Sequence, residues 1–503
     1  MRRTNWLIGL VILPIILAMS CCTGISATTP PSKQLRVGAT AIPDSMDPTT
    51  NTNAAISQAL LYNVYETLVK LDGDGKIRPL LAREWSISND GLTYTFALQP
   101  NAAFANGDPV TADAVVKSFQ RIQQDPAVMA NYKAQMSVVA SLKVVDEHTV
   151  KATLSHPSNM WIYDLTGSMG IVIDPNATSD LPNTPAGSGP FVLQQWNKGS
   201  SVVLAKSEKY WGTAARFDQV TFRYFSDPNA MNTAMLSGDL DVISNVAAPQ
   251  ALSKFADATK YQIIKGTTNG EIVLGFNNAN APFTDVRVRQ AICYAIDRQA
   301  LMTSVWDGQG MLIGSMVPPT DPWYQDLSQT YPYDPAKAKA LLAEAGFADG
   351  LTLRLQVPTL PYATGAAQFI ASQLKDVGVT VEVTQLDFPG TWIDQVMTRG
   401  DYDMTIIAHV ESRDIVKWAD PKYYWHYDNP EFQALIAKAD QAIDQTEYIS
   451  LMQQAAKILA DDAAGDFLWL LPSLVVATPD ITGIPANAIA ESFDLTAIAS
   501  KSG

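Results

Sequence analysis

Apolar residues recur along this chain in two alternating periods. Leu92, Tyr94, Phe96 and Leu98 alternate with polar or small neighbours ahead of Pro100, the pattern of a strand, and residues 35–39 read as an opening strand. Leu351, Leu353, Leu355 and Val357 alternate, as do Val379, Val381 and Val383, and residues 404–408 read as a buried strand. Helical spacing predicts a helix over residues 57–71, with Leu60, Leu61, Val64 and Leu68 on one face, and another over 111–122, with Val115, Val116 and Phe119 behind a capping Thr111. Asp334-Pro335 is a cap followed by proline at the first helical position, with Ala338, Leu341, Leu342 and Ala345 on one face and Gly346 as the stop. Phe369, Leu374 and Val377 fall on the next helix. Asn429-Pro430 opens one carrying Phe432, Leu435, Ile436, Ala439 and Ile443. Asp285 caps a helix whose face is Val288, Ile292, Ala295 and Ile296, leaving Arg287 and Arg289 to pair with or cap neighbouring elements. Strand–helix–strand order predicts an α/β fold with a covered, partly parallel sheet.

One apolar run fits neither period. Residues 6–18 are uncharged, follow Met1-Arg2-Arg3, and lead through Ala18-Met19-Ser20 to Cys21, the form of a secretory signal. A cysteine directly after small residues also matches a lipobox, with cleavage before Cys21 and a diacylglycerol on its thiol. Residues 1–20 are therefore expected to be a signal peptide, Cys21 the lipidation site, and residues 21–33 a polar tether. Thirteen helical residues span about 20 Å, short of the roughly 30 Å hydrocarbon core.

With 503 residues the chain has room for several domains or two large lobes, and a net charge of −15 argues against nucleic-acid binding. Of three cysteines, two are Cys21 and Cys22; Cys293 has no partner and is expected to pack as a small hydrophobe. Enzyme signatures are missing: there is no G-x-S-x-G, no H-E-x-x-H and no P-loop. The four histidines lack metal-ligand spacing; His148 and His156 are expected at the surface.

One window departs from core patterning. Residues 409–427 (HVESRDIVKWADPKYYWHY) mix charges and aromatics without an apolar period, at the end of an apparent buried strand. Open α/β sheets bind ligands at strand ends. His409, Glu411, Arg413, Asp414, Trp418 and Trp425, with Trp392, are the candidate ligand-binding residues; Glu411, Arg413, Asp414 and Trp418 would fix a polar ligand and Trp425 would stack on it.

Several ordered motifs carry a family resemblance: Met46-Asp47-Pro48; Tyr65-Glu66-Thr67-Leu68; Pro79-Leu80-Leu81-Ala82 with Trp85; Asp90-Gly91 with Tyr94 and Phe96; residues 104–118 (FANGDPVTADAVVKS); Gly187-Ser188-Gly189-Pro190-Phe191; Tyr210-Trp211-Gly212; and residues 282–298 from Pro282-Phe283-Thr284-Asp285 to Ala295-Ile296-Asp297-Arg298. From about residue 35 onward the chain resembles the oligopeptide/dipeptide/nickel-binding family (family 5) of bacterial extracellular solute-binding proteins of ABC importers. The residues themselves suggest that Gly187 and Gly189 serve a tight turn.

The resemblance implies a two-lobed periplasmic-binding-protein fold with an extra subdomain inserted in lobe I: lobe I at 34–70, 186–269 and 470–503, the insertion at 71–185, and lobe II at 270–469. It implies ligand capture by hinge closure. No catalytic residue, cofactor or metal is expected, and the four histidines make nickel or a metal chelate the least favoured ligand. A monomer on the outer face of the cell membrane would deliver its ligand to a permease driven by an ATPase. Peptide-binding members often place an aspartate for the ligand's amino terminus three residues before an acidic-Pro pair. Asp420-Pro421 is such a pair here, but Lys417 holds that position. Asp414 or Glu411 would serve only after a local shift. A peptide is the leading ligand, with an oligosaccharide or other polar solute as the alternative.

Overall fold

A computed structural model describes residues 33–51 and 53–501; the signal, Cys21 and nearly all of the tether lie outside the described residues. A ten-stranded sheet runs through the molecule in the order Phe191–Asn197, Ser201–Lys206, Gln219–Tyr224, Gln34–Ala39, Val242–Ile243, Gly465–Ala477, Gln262–Phe276, Met404–His409, Leu351–Pro358, Val379–Leu386. Gln34–Ala39 lies parallel to both neighbours, and so does Leu351–Pro358. Between these parallel regions Gln262–Phe276 and Gly465–Ala477 form one long antiparallel ribbon. The strands at 351 and 379 are joined by the helix Pro361–Asp376, whose Ala363, Ala366, Ala367, Ile370 and Leu374 are buried. This is the expected covered α/β unit.

The ribbon serves two cores. Its first stretch, residues 262–267 against 472–477, packs with Leu35, Val37, Phe191, Val220 and Phe222, and with Met231, Leu240 and Phe255. Its second stretch, 271–276 against 465–470, packs with Phe283, Ile292, Leu353, Leu355 and Ile406, and with Trp323, Trp418 and Phe432. The register shifts between Thr267 and Glu271, where the ribbon passes from one core to the other. A separate antiparallel sheet, in the order Ala82–Ile87, Thr93–Leu98, Thr149–Leu154, Val139–Asp146, packs on the helix Ala112–Gln124 around its own core of Phe96, Phe104, Val115, Phe119 and Trp161.

Caps fall where the sequence puts them. Thr111, Asp285, Asp334 and Asn429 each accept a backbone N–H of the first turn that follows. Arg287 pairs with Asp285 and donates to the Glu344 carbonyl, while buried Arg289 donates to the carbonyls of Phe283, Asp462 and Ala463. Cys293 is buried in the apolar core. His156 is exposed and His148 half-buried.

Three expectations fail. The helix at 57–71 is only Ala54–Leu60; Tyr62 then turns left-handed at φ 63° and two short strands follow. Residues 59–69 are buried without a break, so the segment has no solvent face, and its leucine spacing reflects burial on every side. The carbonyls of Asn63 and Val64, which a helix would use internally, accept from Phe191 and Gly189. Gly187 and Gly189 accordingly serve close backbone approach and not a turn: a Cβ would stand 2.0 Å from the Val64 carbonyl oxygen at Gly187 and 2.5 Å from that of Asn63 at Gly189. Ile443 lies beyond its helix, Pro430–Gln441, and is 61% exposed.

Gly187→Ala should destabilise the fold by about 3 kcal/mol or more, since backbone must move to admit the methyl group. Urea unfolding of parent and variant measures the difference.

Candidate functional site

The strand Met404–His409 delivers His409 to the sheet's edge of order, directly opposite Glu271 in the antiparallel register with Gln262–Phe276. Opposed residues of such a pair project from the same face. His409 is clamped on both ring nitrogens: Nδ1 lies 3.2 Å from Asp414 Oδ2 and Nε2 2.8 Å from the Tyr424 hydroxyl. Burial drives its pKa down to about 3, with Lys417 adding to the effect, so the ring is neutral. The neutral tautomer that fits donates from Nδ1 to Asp414 and accepts at Nε2 from Tyr424.

Asp414 opens the short helix Asp414–Ala419, and its other oxygen meets Lys417 Nζ at 3.1 Å. Lys417 also pairs with the exposed Glu411. Burial pushes the Asp414 carboxyl up and the Lys417 ammonium down to about 8. Lys417 is thereby held by two carboxylates of its own loop.

Arg413 points the other way. Its backbone is left-handed at φ 61°, and its guanidinium lies 3.5 Å from the centroid of Tyr163 and 4.9 Å from that of Trp323. Tyr163 belongs to the helix Asn159–Asp164 of the separate four-stranded unit, so this cation bridges two bodies with different cores. The nearest carboxylate oxygen to Arg413 Nε, on Asp321, is 3.9 Å away, and that nitrogen has no hydrogen-bond partner in the protein.

Acids outnumber bases around it. Burial raises Asp321 to about 7 and Asp164 to about 8, although Arg413 opposes both shifts. Glu271 is fully buried, both its carboxylate oxygens lack a protein partner, and burial raises it further, with repulsion from Asp414 and Asp321 adding to the rise. Such a group is costly to bury without a partner.

The aromatic residues of the window stack on one another. Trp418 and Trp425 lie face to face at 3.7 Å and 5°, both 1% exposed. Trp425 also packs against His409, and Trp418 edge-on against Phe467. Trp392 donates from Nε1 to Thr405 Oγ1 and meets Tyr424 edge-on. Six of the seven candidate residues lie at or beyond the His409 end of the strand, whereas Trp392 packs beside Thr405 near its start and reaches the group through Tyr424. His409, Glu411 and Asp414 form one chain of contacts with Lys417, Arg413 turns toward Tyr163, and the three tryptophans form a buried aromatic wall behind.

Glu271, Asp321, Asp164 and Tyr163 were not singled out by sequence. Glu271 left one signal: it is the single acid in the apolar run EIVLGF. The other three come together only through the tertiary fold.

A family model for bacterial extracellular solute-binding proteins, family 5 (Middle), matches residues 76–434. The chain belongs to that family. Its members are bacterial extracellular solute-binding proteins. This solute-binding protein is 28% identical to the probable D,D-dipeptide-binding periplasmic protein DdpA of Escherichia coli K12, over 95% of this chain and 96% of that one. It is 31% identical to the glutathione-binding protein GsiB of Salmonella typhimurium LT2, over 67% of this chain and 66% of that one. Among solved structures it is similar to AgaA of Agrobacterium tumefaciens R10 in complex with agropinic acid (TM-score 0.77, 25% identity, 93% of this chain and 98% of that one). It also matches CtaP of Listeria monocytogenes (TM-score 0.82, 24% identity, 93% and 99%), a likeness of fold. The solute-binding protein therefore has the two-lobed periplasmic-binding-protein fold with a subdomain inserted in lobe I. Among the described residues no helix is long and apolar enough to cross a membrane.

The raised acids predict a pH dependence. A carboxyl whose folded pKa exceeds its unfolded value near 4 holds its proton longer in the folded state. Its contribution to stability is full below pH 4 and is lost as pH rises through about 7 for Asp321 and about 8 for Asp164. The ligand-free protein should melt several degrees lower at pH 8.5 than at pH 5.5, and Asp321→Asn should reduce that fall. Differential scanning fluorimetry across the range checks both.

Proposed function

We propose that this solute-binding protein captures a short peptide between its lobes, receives the peptide's ammonium group on Glu271 and Asp414, and hands the peptide unaltered to the permease of an ABC importer. The observation that carries the ligand class is the unpartnered Glu271 carboxylate, buried among Asp321 and Asp414 where Arg413 and Lys417 are the nearby cations. A ligand cation would favour loss of the proton that burial holds on these acids and would donate to the carboxylate oxygens so formed, which gives the closed state its stronger interaction. Lys417 does not obstruct this reading, because Glu411 and Asp414 already hold it. The Trp418–Trp425 pair is stacked on itself, which favours a peptide over a sugar needing an open aromatic face.

Around this site the proposed boundaries are lobe I at 34–70, 186–269 and 470–503, the insertion at 71–185, and lobe II at 270–469. The hinge lies in the ribbon near residues 267–271. Cys21 would carry the lipid that holds a monomer to the outer face of the cell membrane. An ATPase behind the permease would drive uptake.

Dialanine should raise the melting temperature of the parent protein, while N-acetyl-dialanine should not. Glu271→Gln should weaken dialanine binding by tenfold or more in titration calorimetry, roughly 1.4 kcal/mol or greater. Equal binding of the free and acetylated peptides would overturn the ammonium assignment.

A further inference from the structure

The helix Asn159–Asp164 carries Tyr163, the ring against Arg413, near its end and a different set of contacts at its start. Its N-terminus abuts the C-terminus of the lobe II helix Pro430–Gln441. The Asn159 side-chain amide donates to the carbonyls of Ala439, Asp440 and Ala442 at 3.0, 3.1 and 2.7 Å. In return Asp440 Oδ1 accepts from the Ser158 hydroxyl and from the Met160 backbone N–H, each at 2.9 Å. Helix ends leave N–H groups unsatisfied at the start and carbonyls at the finish. Each helix here has part of that need met by a side chain of the other body. Beside them the turn at Gly91 approaches Ile443 so closely that a Cβ would lie 3.3 Å from the Ile443 side chain.

We infer that Asn159 and Asp440 form a latch that holds the insertion against lobe II, favouring the closed arrangement from outside the ligand site. The latch presupposes the hinge closure proposed above. It acts on the site through geometry: the same one-and-a-half turns of helix that begin at Asn159 end at Tyr163 and Asp164, and Tyr163 is the ring beneath Arg413. Closing the latch therefore sets Tyr163 over the guanidinium. Asn159 and Asp440 are positioning residues, with their hydrogen bonds spent on each other's helix ends.

Opening the lobes exposes these groups to water, which replaces most but not all of what their bonds contribute. The latch is therefore a bias on a two-state equilibrium, and ligand affinity scales with the closed fraction. Asn159→Ala removes the donors to three carbonyls, and Asp440→Ala removes the acceptor for Ser158 and Met160. Asp440→Asn keeps an acceptor oxygen and serves as the conservative control.

Small-angle X-ray scattering of the ligand-free full chain is the test. The Ala variants should show a larger radius of gyration than the parent, Asp440→Asn should match the parent, and all should retain the parent's circular dichroism. Dialanine should bind the Ala variants about tenfold more weakly. Identical ligand-free scattering of the parent and both Ala variants would overturn the latch. Failure of dialanine to bind any form would count against the peptide reading alone, since the scattering comparison needs no ligand.

Discussion

Two strands belong to the cores of both lobes of this protein, and that sharing constrains everything else. Gln262–Phe276 and Gly465–Ala477 run unbroken from one lobe's core into the other, so the lobes cannot separate without bending the ribbon. The bend has a place. Pairing slips between Thr267 and Glu271, and there the ladder is replaced by side-chain contacts: Thr268 Oγ1 donates to the Leu471 carbonyl, and Asn269 donates to Ser412 Oγ and the Ile489 carbonyl. Gly266, at the same stretch, lies so near the Ala486 carbonyl that no Cβ fits. Register slips leave residues unpaired and increase local twist. Glu271 is the first residue to rejoin the ladder, which puts the unpartnered carboxylate beside the pivot.

That placement ties charge to motion. A buried carboxylate without donors is unfavourable by at least about 1–3 kcal/mol, and more when ionised. The protein relieves the cost by holding the proton, as the raised Glu271, Asp321 and Asp164 indicate. Arg413 does not cancel it, since its nearest contacts are the faces of Tyr163 and Trp323 and its link to Asp321 is long. In the proposed mechanism a cationic ligand would meet a field arranged before it arrives. The neutral His409 stabilises that arrangement by holding Asp414 on one side and Tyr424 on the other.

The legible parts of the fold were those with local causes. Asp285, Asp334 and Asn429 announced their helices through cap chemistry, and the alternation at 351–357 and 379–383 announced strands, because each signal needs only its neighbours in sequence. The failure at 57–71 has a non-local cause: Gly189 and Phe191 take the carbonyls of Val64 and Asn63, and a spacing of leucines cannot reveal a competitor more than a hundred residues away. The site divides along the same line. Mixed charge and aromatic content marked 409–427, yet the partner each residue chose was not readable. Trp425 found Trp418, and Arg413 found Tyr163 in another body. Glu271 escaped notice because a lone acid in an apolar strand becomes a site only when it is seen to be buried and unpartnered.

A clamp of this kind must stay near balance. If the lobes closed too firmly alone, ligand binding would add little discrimination between states; if they never met, the ligand would supply the whole free energy of closure. The contacts across the cleft match an intermediate strength. Those between the insertion and lobe II include hydrogen bonds between helix ends and one cation over an aromatic ring, beside the approach of the Gly91 turn to Ile443, and Ser412 adds hydrogen bonds with Asn269 and Ile489. Hydrogen bonds exchanged for water contribute about 0.5–1.5 kcal/mol each, whereas apolar burial over a large area would lock the lobes. In the proposed mechanism the ribbon would fix where the lobes pivot, the helix ends would bias how often they meet, and the unpartnered acid would leave a stabilising contact for the ligand to complete.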